Sequence, residues 1–320
     1  MISHRWDFSN TVLTFKKPFY IIGVYIYLRG KFTMNYMIFV DGSADVDLQA
    51  VGEESIKFIP MEYSLAGEMR VCDTMQDRQT LKDFYNGQRR GDLTKTTQIS
   101  PYMYEEFFSP YMEKGISVLY LALSSGLSST YNSALMAREN LKEKYPDAEF
   151  VPVDSLGGTG GIGVLAERAL RNRQKGMTIA ENRADLVNAA KKIKHWFLVQ
   201  DLNYLKRGGR VSATTAFVGS AVNIKPILEI DQDGKLITFA KKRGNNAAAA
   251  ELVEKFKESY DESGEDVIYI IDADDRELGD TLKAEVLELY PNRTVRRCTL
   301  SPIIGAHTGP GMAAICHMGK

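Results

Sequence analysis

The chain has 320 residues, enough for two domains, because single hydrophobic cores usually stop growing beyond about 250–300 residues. With 44% hydrophobic and 25% charged residues, it has the composition of a globular protein and not of a disordered one. The formal net charge of −1 argues against nucleic acid as the main partner. The three cysteines lack CxxC spacing, so we expect no disulfide framework, no zinc site and a reducing cytoplasmic location.

Residues 1–33 differ from the rest of the chain. They contain an apolar run, Pro18–Leu28, flanked by basic residues on both sides. The run is shorter than the roughly twenty residues that a membrane-spanning helix needs, and no small-residue cleavage site follows it. We expect this extension to lie outside the fold, without stable membrane insertion, and the folded chain to start at Met34. An interfacial anchor and an extra packed element are the alternatives.

From Met34 to Gly176, apolar strand patterns alternate with helical patterns, which predicts a parallel α/β domain. The predicted strands are Tyr36–Val40, Ile56–Tyr63, Ser117–Leu123 and Glu149–Val153. The predicted helices are Asp77–Tyr85, Tyr102–Glu113, Thr130–Lys144 and Ile162–Arg173. Ser100 before Pro101 marks a helix start, and Gly176 after a basic stretch marks a helix exit. We place the boundary between domains 34–176 and 177–320 at this glycine.

The second domain, residues 177–320, keeps alternating but has more turn signals. An Asp-Gly pair at 233–234 separates the apolar runs Ile227–Ile230 and Leu236–Phe239, which predicts a hairpin. Asp266–Ile271 is a predicted buried strand, and Leu278–Leu289 is a predicted amphipathic helix. The predicted fold class is therefore α/β, with a parallel-sheet N-terminal domain followed by a second α/β domain with a mixed sheet.

Three polar clusters follow strands of the first domain: Asp41–Asp45, Thr96–Ser100 and Ser124–Thr130. Ligands of open α/β sheets bind beyond the carboxyl ends of the strands, and hydroxyls with helix-start N–H groups favour an anion. The clusters contain no arginine, and Lys95 is the one neighbouring lysine, so a single carboxylate with an apolar tail fits better than a phosphate. The alternative is that these hydroxyls only cap helices.

Residues 158–163 formally match the dinucleotide-binding fingerprint. That fingerprint normally marks the first strand–helix turn of a domain and has an acidic residue at a strand end about twenty positions later. Here Glu181 and Asp185 fall in a predicted helix. We therefore interpret the motif as a glycine-rich turn that lets the backbone approach a neighbour.

Two further segments carry candidate residues. His307 lies among the turn formers of Gly305–Gly311, which favours a functional role, whereas His195 is interpreted as structural. Arg207 and Arg210 lie in a basic turn that is either solvated or contacts a phosphate or an acidic partner surface.

In their order and spacing, these segments resemble the DegV family of bacterial fatty-acid-binding proteins. The matching segments are Asp41–Asp45, Lys95–Ser100, Leu123–Tyr131, Asp154–Gly163, Tyr204–Ser212, Ile224–Pro226 and His307–Gly311. The sequence departs from the family pattern at Thr97 (usually serine, so the hydroxyl is kept), at Ile99 (usually proline) and at Ser129 (usually glycine).

The resemblance implies a buried acyl chain whose carboxylate meets the hydroxyls of Thr97 and Ser128. The other ligand-binding residues expected from it are Thr96, Ser129, His307 and Gly309. It further implies a carrier that is not itself an enzyme, with a fatty acid such as palmitate as ligand and neither cofactor nor metal. Some members present the acyl group to a separate fatty acid kinase, and Arg210, with Arg207, is our candidate contact for that partner or its phosphate.

Two other functions stay open. An acyl hydrolase or transferase would use Ser128 as nucleophile and His307 as its base, and would react covalently with a fluorophosphonate probe. A structural or regulatory protein would bind the lipid without any acyl transfer.

Overall fold

The structure is a computed structural model that describes residues 36–52, 54–72, 78–211 and 223–320. The predicted extension, residues 1–33, lies outside the described residues, as do the proposed start at Met34, the first residue of the predicted helix Asp77–Tyr85, and Ser212 of the family-like basic turn. The predictions that concern these positions therefore stay predictions.

Strands and helices alternate through most of the described chain, as the sequence predicts. The strands are β1 Tyr36–Asp41, β2 Lys57–Ile59, β3 Met61–Leu65, β4 Glu68–Cys72, β5 Thr94–Thr96, β6 Ser117–Ala122, β7 Phe150–Asp154, β8 Ile193–Leu198, β9 Ile224–Ile230, β10 Leu236–Arg243, β11 Ile268–Asp272, β12 Val295–Thr299 and β13 Ala313–Met318. The helices are α1 Leu48–Val51, α2 Arg78–Arg90, α3 Pro101–Met112, α4 Thr130–Lys144, α5 Thr159–Gln174, α6 Ile179–Ala190, α7 Asn203–Arg207, α8 Asn245–Ser259, α9 Arg276–Leu289 and α10 Pro302–Thr308.

The N-terminal sheet has the order β2-β1-β6-β7, and all its strand pairs are parallel. Parallel neighbours need long crossover connections, and α3 to α6 supply helices that pack against this sheet. Its two central strands are almost wholly buried, which explains their nearly continuous apolar sequence. The predicted parallel-sheet domain is confirmed.

The second large sheet has the order β10-β9-β8-β13-β11-β12. Only β11 and β12 are a parallel pair among the strand pairs described for this sheet, so it is mixed, as predicted. The predicted hairpin is confirmed, because β9 and β10 pair antiparallel around a turn in which Gly234 has a φ of 73°. Glycine adopts this left-handed conformation without steric cost.

One predicted strand, Ile56–Tyr63, is wrong as a single element. The structure divides it into β2, which belongs to the parallel sheet, and β3, which belongs to a small antiparallel sheet of order β4-β3-β5. Pro60 lies between the two strands and has no N–H to donate to a ladder. The chain therefore changes sheets at this proline.

The start of α3 and the end of α5 agree with their sequence signals. The Ser100 hydroxyl accepts a hydrogen bond of 3.3 Å from the backbone N–H of Met103, and Pro101 is the first helical residue. Gly176 follows α5 with a φ of 94°. Since α6, which comes next, packs against α5 and β7, a domain boundary at 176 stays a prediction.

Candidate functional site

A cavity of about 590 Å³ is lined by residues of the mixed sheet, of the small sheet and of the segments that follow β6 and β7 of the parallel sheet. This volume lies within the roughly 300–1,000 Å³ that is typical of small-molecule sites. Its apolar wall includes Leu123, Phe197, Ile230, Ile303, Ile304 and Met312. Its polar wall includes Thr96, Thr97, Ser125, Ser128, Ser129, Thr159, His195, Arg210 and His307. The second and third polar clusters of the sequence therefore meet in one cavity.

Thr96 and His307 contact each other in the wall of this cavity. Thr96 ends β5, which the small sheet holds in antiparallel register opposite Tyr63. Its Oγ1 lies 2.9 Å from Nε2 of His307 on α10. Burial, together with the nearby guanidinium of Arg210, lowers the pKa of His307 to about 4. The imidazole is therefore neutral at pH 7 and forms a neutral hydrogen bond with Thr96.

Thr97 is more exposed than its neighbour and also lines the cavity. Its backbone N–H donates to the carbonyl of Glu62 at 3.1 Å, which anchors the loop after β5. Its hydroxyl lies 3.4 Å from the Glu62 carboxylate, a long and therefore weak hydrogen bond. This hydroxyl can rotate toward a ligand at little cost.

Ser128 and Ser129 precede α4 at the carboxyl end of β6. The Ser128 Oγ accepts a 3.2 Å hydrogen bond from the backbone N–H of Thr130 and lies 2.9 Å from the Thr130 hydroxyl. Ser129 occupies the N-cap position without a side-chain cap bond. Ser128 thus has a local structural role as well as a place in the cavity wall. Among the described contacts, it forms no hydrogen bond with His307, so a serine–histidine pair is not assembled.

Arg210 brings a positive charge into the cavity wall, a charge that the polar clusters of the sequence do not contain. Its Nε donates to the carbonyl of Leu127 at 3.2 Å, and its Nη1 donates to the carbonyl of Gly208. Burial lowers the pKa of this guanidinium. Within the part of the chain that the structure describes, it has no ion pair with a carboxylate. Its charge is therefore available to an anionic ligand.

The structure places the other two candidate residues outside the cavity lining. Arg207 lies over the ring of Tyr204, 4.4 Å from the ring centroid. Gly309 ends α10 with a φ of 75°, and a Cβ atom there would overlap the same tyrosine ring. Gly309 therefore shapes the turn after His307. This role could not be predicted from the sequence, because Tyr204 is distant in the chain.

Residues 158–163 do not form a separate turn, as we inferred, but the start of α5, with Gly158 as its N-cap. The close backbone approach that we expected from the glycines is present. A Cβ atom on Gly161 would overlap the imidazole of His195, whose Nε2 lies 3.2 Å from the carbonyl of Gly158. Burial lowers the pKa of His195 to about 4, so this imidazole is neutral. His195 packs tightly against the start of α5, as expected of a structural residue, and it also lines the cavity.

The first polar cluster has a different role from the other two. The buried carboxylate of Asp41 accepts hydrogen bonds from Ser43 and from the hydroxyl of Tyr120. Burial raises its pKa despite these donors. Asp41 is not among the residues that line the cavity, and it stabilises the turn after β1.

The described residues contain no group of three or more His, Cys, Asp or Glu side chains placed to hold a metal ion. Over the same ranges, no helix has the length and apolar character needed to cross a membrane. The polar groups of the cavity wall include hydroxyls, neutral imidazoles and one guanidinium. Together they suit an anionic group attached to an apolar chain.

Comparisons with known proteins identify relatives over nearly the whole chain. A family model described as "Uncharacterised protein, DegV family" matches residues 35–320. A DegV domain-containing protein of Clostridium perfringens is 35% identical over 284 residues, 89% of this chain and 97% of that protein. A fatty acid-binding protein of Thermotoga maritima is 32% identical over 291 residues, which span 87% of this chain and 96% of that protein. The crystal structure of a DegV lipid binding protein from Thermotoga maritima has a TM-score of 0.78 at 29% identity, covering 89% and 98% of the two chains. This chain belongs to the DegV family.

Proposed function

We propose that this protein binds a long-chain fatty acid in the cavity and presents its carboxylate to a separate kinase, which phosphorylates it to an acyl phosphate. The observation that carries the proposal is the presence of Arg210, without an ion-pair partner among the described residues, in a cavity whose other walls are apolar or carry hydroxyls and neutral imidazoles. A monocarboxylate with an apolar tail matches both features.

The apolar wall supplies the larger part of the binding free energy. Each buried methylene contributes about 0.8 kcal/mol, so a sixteen-carbon chain contributes roughly 12 kcal/mol before the costs of ordering. The head group then needs only to be oriented and paired, since a buried carboxylate without a partner is costly. Arg210 supplies the charge, and Thr96, Thr97, Ser128 and Ser129 supply hydroxyl donors.

The relatives support the lipid as ligand. The Thermotoga maritima protein that is 32% identical is a fatty acid-binding protein, and the structure that is 29% identical is a lipid binding protein. The kinase partner rests on the family resemblance and on the sequence, which has no recognisable ATP-binding motif. The proposal thus includes catalysis by a partner kinase. It also includes a cytoplasmic location for the reaction.

Native mass spectrometry of the purified protein, followed by analysis of the extracted lipid, tests this function. We expect one free fatty acid per chain, and uptake of palmitate by protein stripped of lipid. Protein that neither carries nor takes up any fatty acid would contradict the proposal. A covalent adduct with a fluorophosphonate probe at Ser128 would instead favour the hydrolase.

The kinase step needs its own measurement. With a bacterial fatty acid kinase and ATP, the palmitate-loaded protein should yield palmitoyl phosphate, whereas free palmitate without the protein should yield none. A protein that binds palmitate normally but supports no phosphorylation by any such kinase would make it a lipid-binding protein of another kind.

A further inference from the structure

A second pocket, of about 410 Å³, lies at the carboxyl ends of β1, β11 and β12. It shares no lining residue with the fatty-acid cavity. The strands that converge on it belong to both large sheets, and crevices at such strand ends commonly hold ligands. Nothing in the proposed lipid-carrier function uses this pocket.

Asp45 lines the pocket with a carboxylate that is only partly paired. Its Oδ1 accepts a 2.9 Å hydrogen bond from the backbone N–H of Ser301. Its Oδ2 has no hydrogen-bond partner among the described residues, although the residue is only 6% exposed. Buried polar atoms are nearly always paired, because leaving one unpaired costs about 1–3 kcal/mol.

Asp272 and Arg297 also line the pocket, and they are paired by charge but not by well-aligned hydrogen bonds. The Asp272 Oδ2 lies 2.7 Å from an Nη atom of Arg297. Neither this oxygen nor the Arg297 Nε has a hydrogen-bond partner of acceptable geometry in the described ranges. The Oδ1 of Asp272 is occupied by the backbone N–H of Asp275 at 3.2 Å. The pocket wall thus has one unpaired carboxylate oxygen, on Asp45 in the loop after β1, and one oxygen whose charge only Arg297 balances, on Asp272 at the end of β11.

The two buried carboxylates outnumber the one half-buried guanidinium, so the inner wall favours a cation that donates hydrogen bonds. A primary ammonium carries three donors and one positive charge, which matches Asp45 and Asp272. Arg78 and Arg276 line the same pocket with exposed side chains, and they favour an anionic group on the solvent side. A bare divalent cation fits less well, because Arg297 would repel it.

We propose that this second pocket binds a small zwitterion whose primary ammonium pairs with Asp45 and Asp272 and whose anionic group faces Arg78 and Arg276. The anionic group is a carboxylate or a phosphate, as in an amino acid or an aminoalkyl phosphate. Both sources share the ammonium, so Asp45 is the residue that decides binding. The site is independent of the fatty-acid cavity.

Calorimetric titration of the full chain with β-alanine and with O-phosphoethanolamine tests the site and distinguishes the two sources. We expect at least one of them to bind, roughly tenfold or more tightly than ethylamine, propionate or ethyl phosphate, which each carry only one of the two charges. Asp45→Asn keeps an oxygen for the Ser301 N–H but loses the charge, and should weaken the zwitterion roughly tenfold. Palmitate binding should be unchanged.

Two further variants keep the outcome interpretable. Asp147→Asn changes an exposed aspartate outside both pockets and should leave every titration unchanged. Arg276→Ala changes an exposed side chain and should weaken the zwitterion while leaving ethylamine binding as it was. If no zwitterion binds at millimolar concentration, or if the Asp45 variant binds it as well as the original chain does, the assignment is wrong. Tight binding of MgCl2 that Asp45→Asn abolishes would likewise overturn it in favour of a metal site.

Discussion

The Nε2 atom of His307 and the Oγ1 atom of Thr96 lie 2.9 Å apart, and this contact joins residues that are 211 positions apart in the chain. A neighbouring contact reinforces it, since the Thr94 hydroxyl donates to the carbonyl of Ala306 at 3.0 Å. The short strand β5 is therefore attached to α10 along one side of the cavity. The imidazole of His307 is neutral, so no ion pair holds it in place. Its position therefore depends on the hydrogen bond with Thr96.

Thr96→Val should lower the affinity for palmitate by removing the hydroxyl that positions His307. A neutral hydrogen bond contributes about 0.5–1.5 kcal/mol, so we expect a roughly two- to tenfold increase in Kd. Thr96→Ser keeps the hydroxyl and should restore most of the affinity. Fluorescence displacement or calorimetry on lipid-stripped protein measures the effect, and equal affinity of the valine and serine variants would show that this contact does not serve binding.

Thr97→Ala and Ser128→Ala test the carboxylate contacts that the family resemblance implies. Each should leave the fold intact and weaken palmitate binding by about 1.5–3 kcal/mol, the contribution of a hydrogen bond to a charged group. Ser125→Ala is the matched control, because Ser125 lines the same cavity without an assigned role. If both single variants bind palmitate as the unmodified chain does, the head group lies elsewhere in the cavity.

Arg210→Ala should affect both lipid binding and phosphoryl transfer. Because Arg210 lines the cavity, we expect a weaker affinity for palmitate but an unchanged affinity for hexadecanol, which has no charge to pair. With a kinase at saturating palmitate, acyl phosphate formation should fall roughly tenfold, about 1.4 kcal/mol of transition-state stabilisation. Arg207→Ala, outside the cavity lining, is the control for binding. Unchanged palmitate binding together with a lost kinase reaction would confine Arg210 to the partner step.

The place of the polar clusters could be predicted, because the alternation of apolar strand and helix patterns shows where each strand ends and the hydroxyl-bearing residues follow those ends. The strand β12 could not, because Val295–Thr299 contains two consecutive arginines and looks exposed. In the structure, Arg296 pairs with Glu167 at 3.1 Å and Arg297 pairs with Asp272 at 2.7 Å. These partners lie far away in the sequence, so no local pattern could reveal that the arginines are neutralised within a sheet.

The cavity position of Arg210 was hidden for a similar reason. The sequence places it in a basic turn, which usually lies in solvent. The side chain is half-buried, and its guanidinium donates to the carbonyl of Leu127, in the loop that follows β6 of the parallel sheet. A contact between residues so far apart in the chain cannot be predicted from the residue spacing or composition of the local sequence.

A chain that starts at Met34 should fold and bind palmitate with the affinity of the full chain. The reason is that the family-like sequence covers residues 35–320, so every residue assigned to the cavity is retained. Thermal unfolding and lipid titration of the two chains make the comparison. Aggregation or loss of lipid in the shorter chain would show that the Pro18–Leu28 run contributes to the fold.

The pH dependence of stability should report the buried carboxyl of Asp45. Burial, with a smaller contribution from the charge of Asp272, raises its pKa to about 7, whereas the nearby Thr159 hydroxyl and the backbone N–H of Ser301 oppose the shift. The folded protein thus holds a proton that the unfolded chain, with a pKa near 4, releases.

This group therefore stabilises the fold fully below about pH 4, and its contribution is lost as the pH rises through 7. Between pH 5 and pH 8 the loss is about 2–3 kcal/mol. The buried histidines act in the opposite sense, since burial lowers the pKa of His195 and His307 to about 4 and their neutral forms are favoured as the pH rises. Their contribution cancels when a variant is compared with the unmodified chain.

Asp45→Asn should accordingly make the free energy of unfolding fall less, or rise more, between pH 5 and pH 8 than in the unmodified chain, by about 2–3 kcal/mol. Urea denaturation at the two pH values measures this difference, in protein stripped of small ligands so that the second pocket adds no binding energy. Asp147→Asn should show the pH dependence of the unmodified chain. If the Asp45 variant shows that dependence too, the Asp45 carboxyl is already ionised at pH 5, and a local partner must hold its charge.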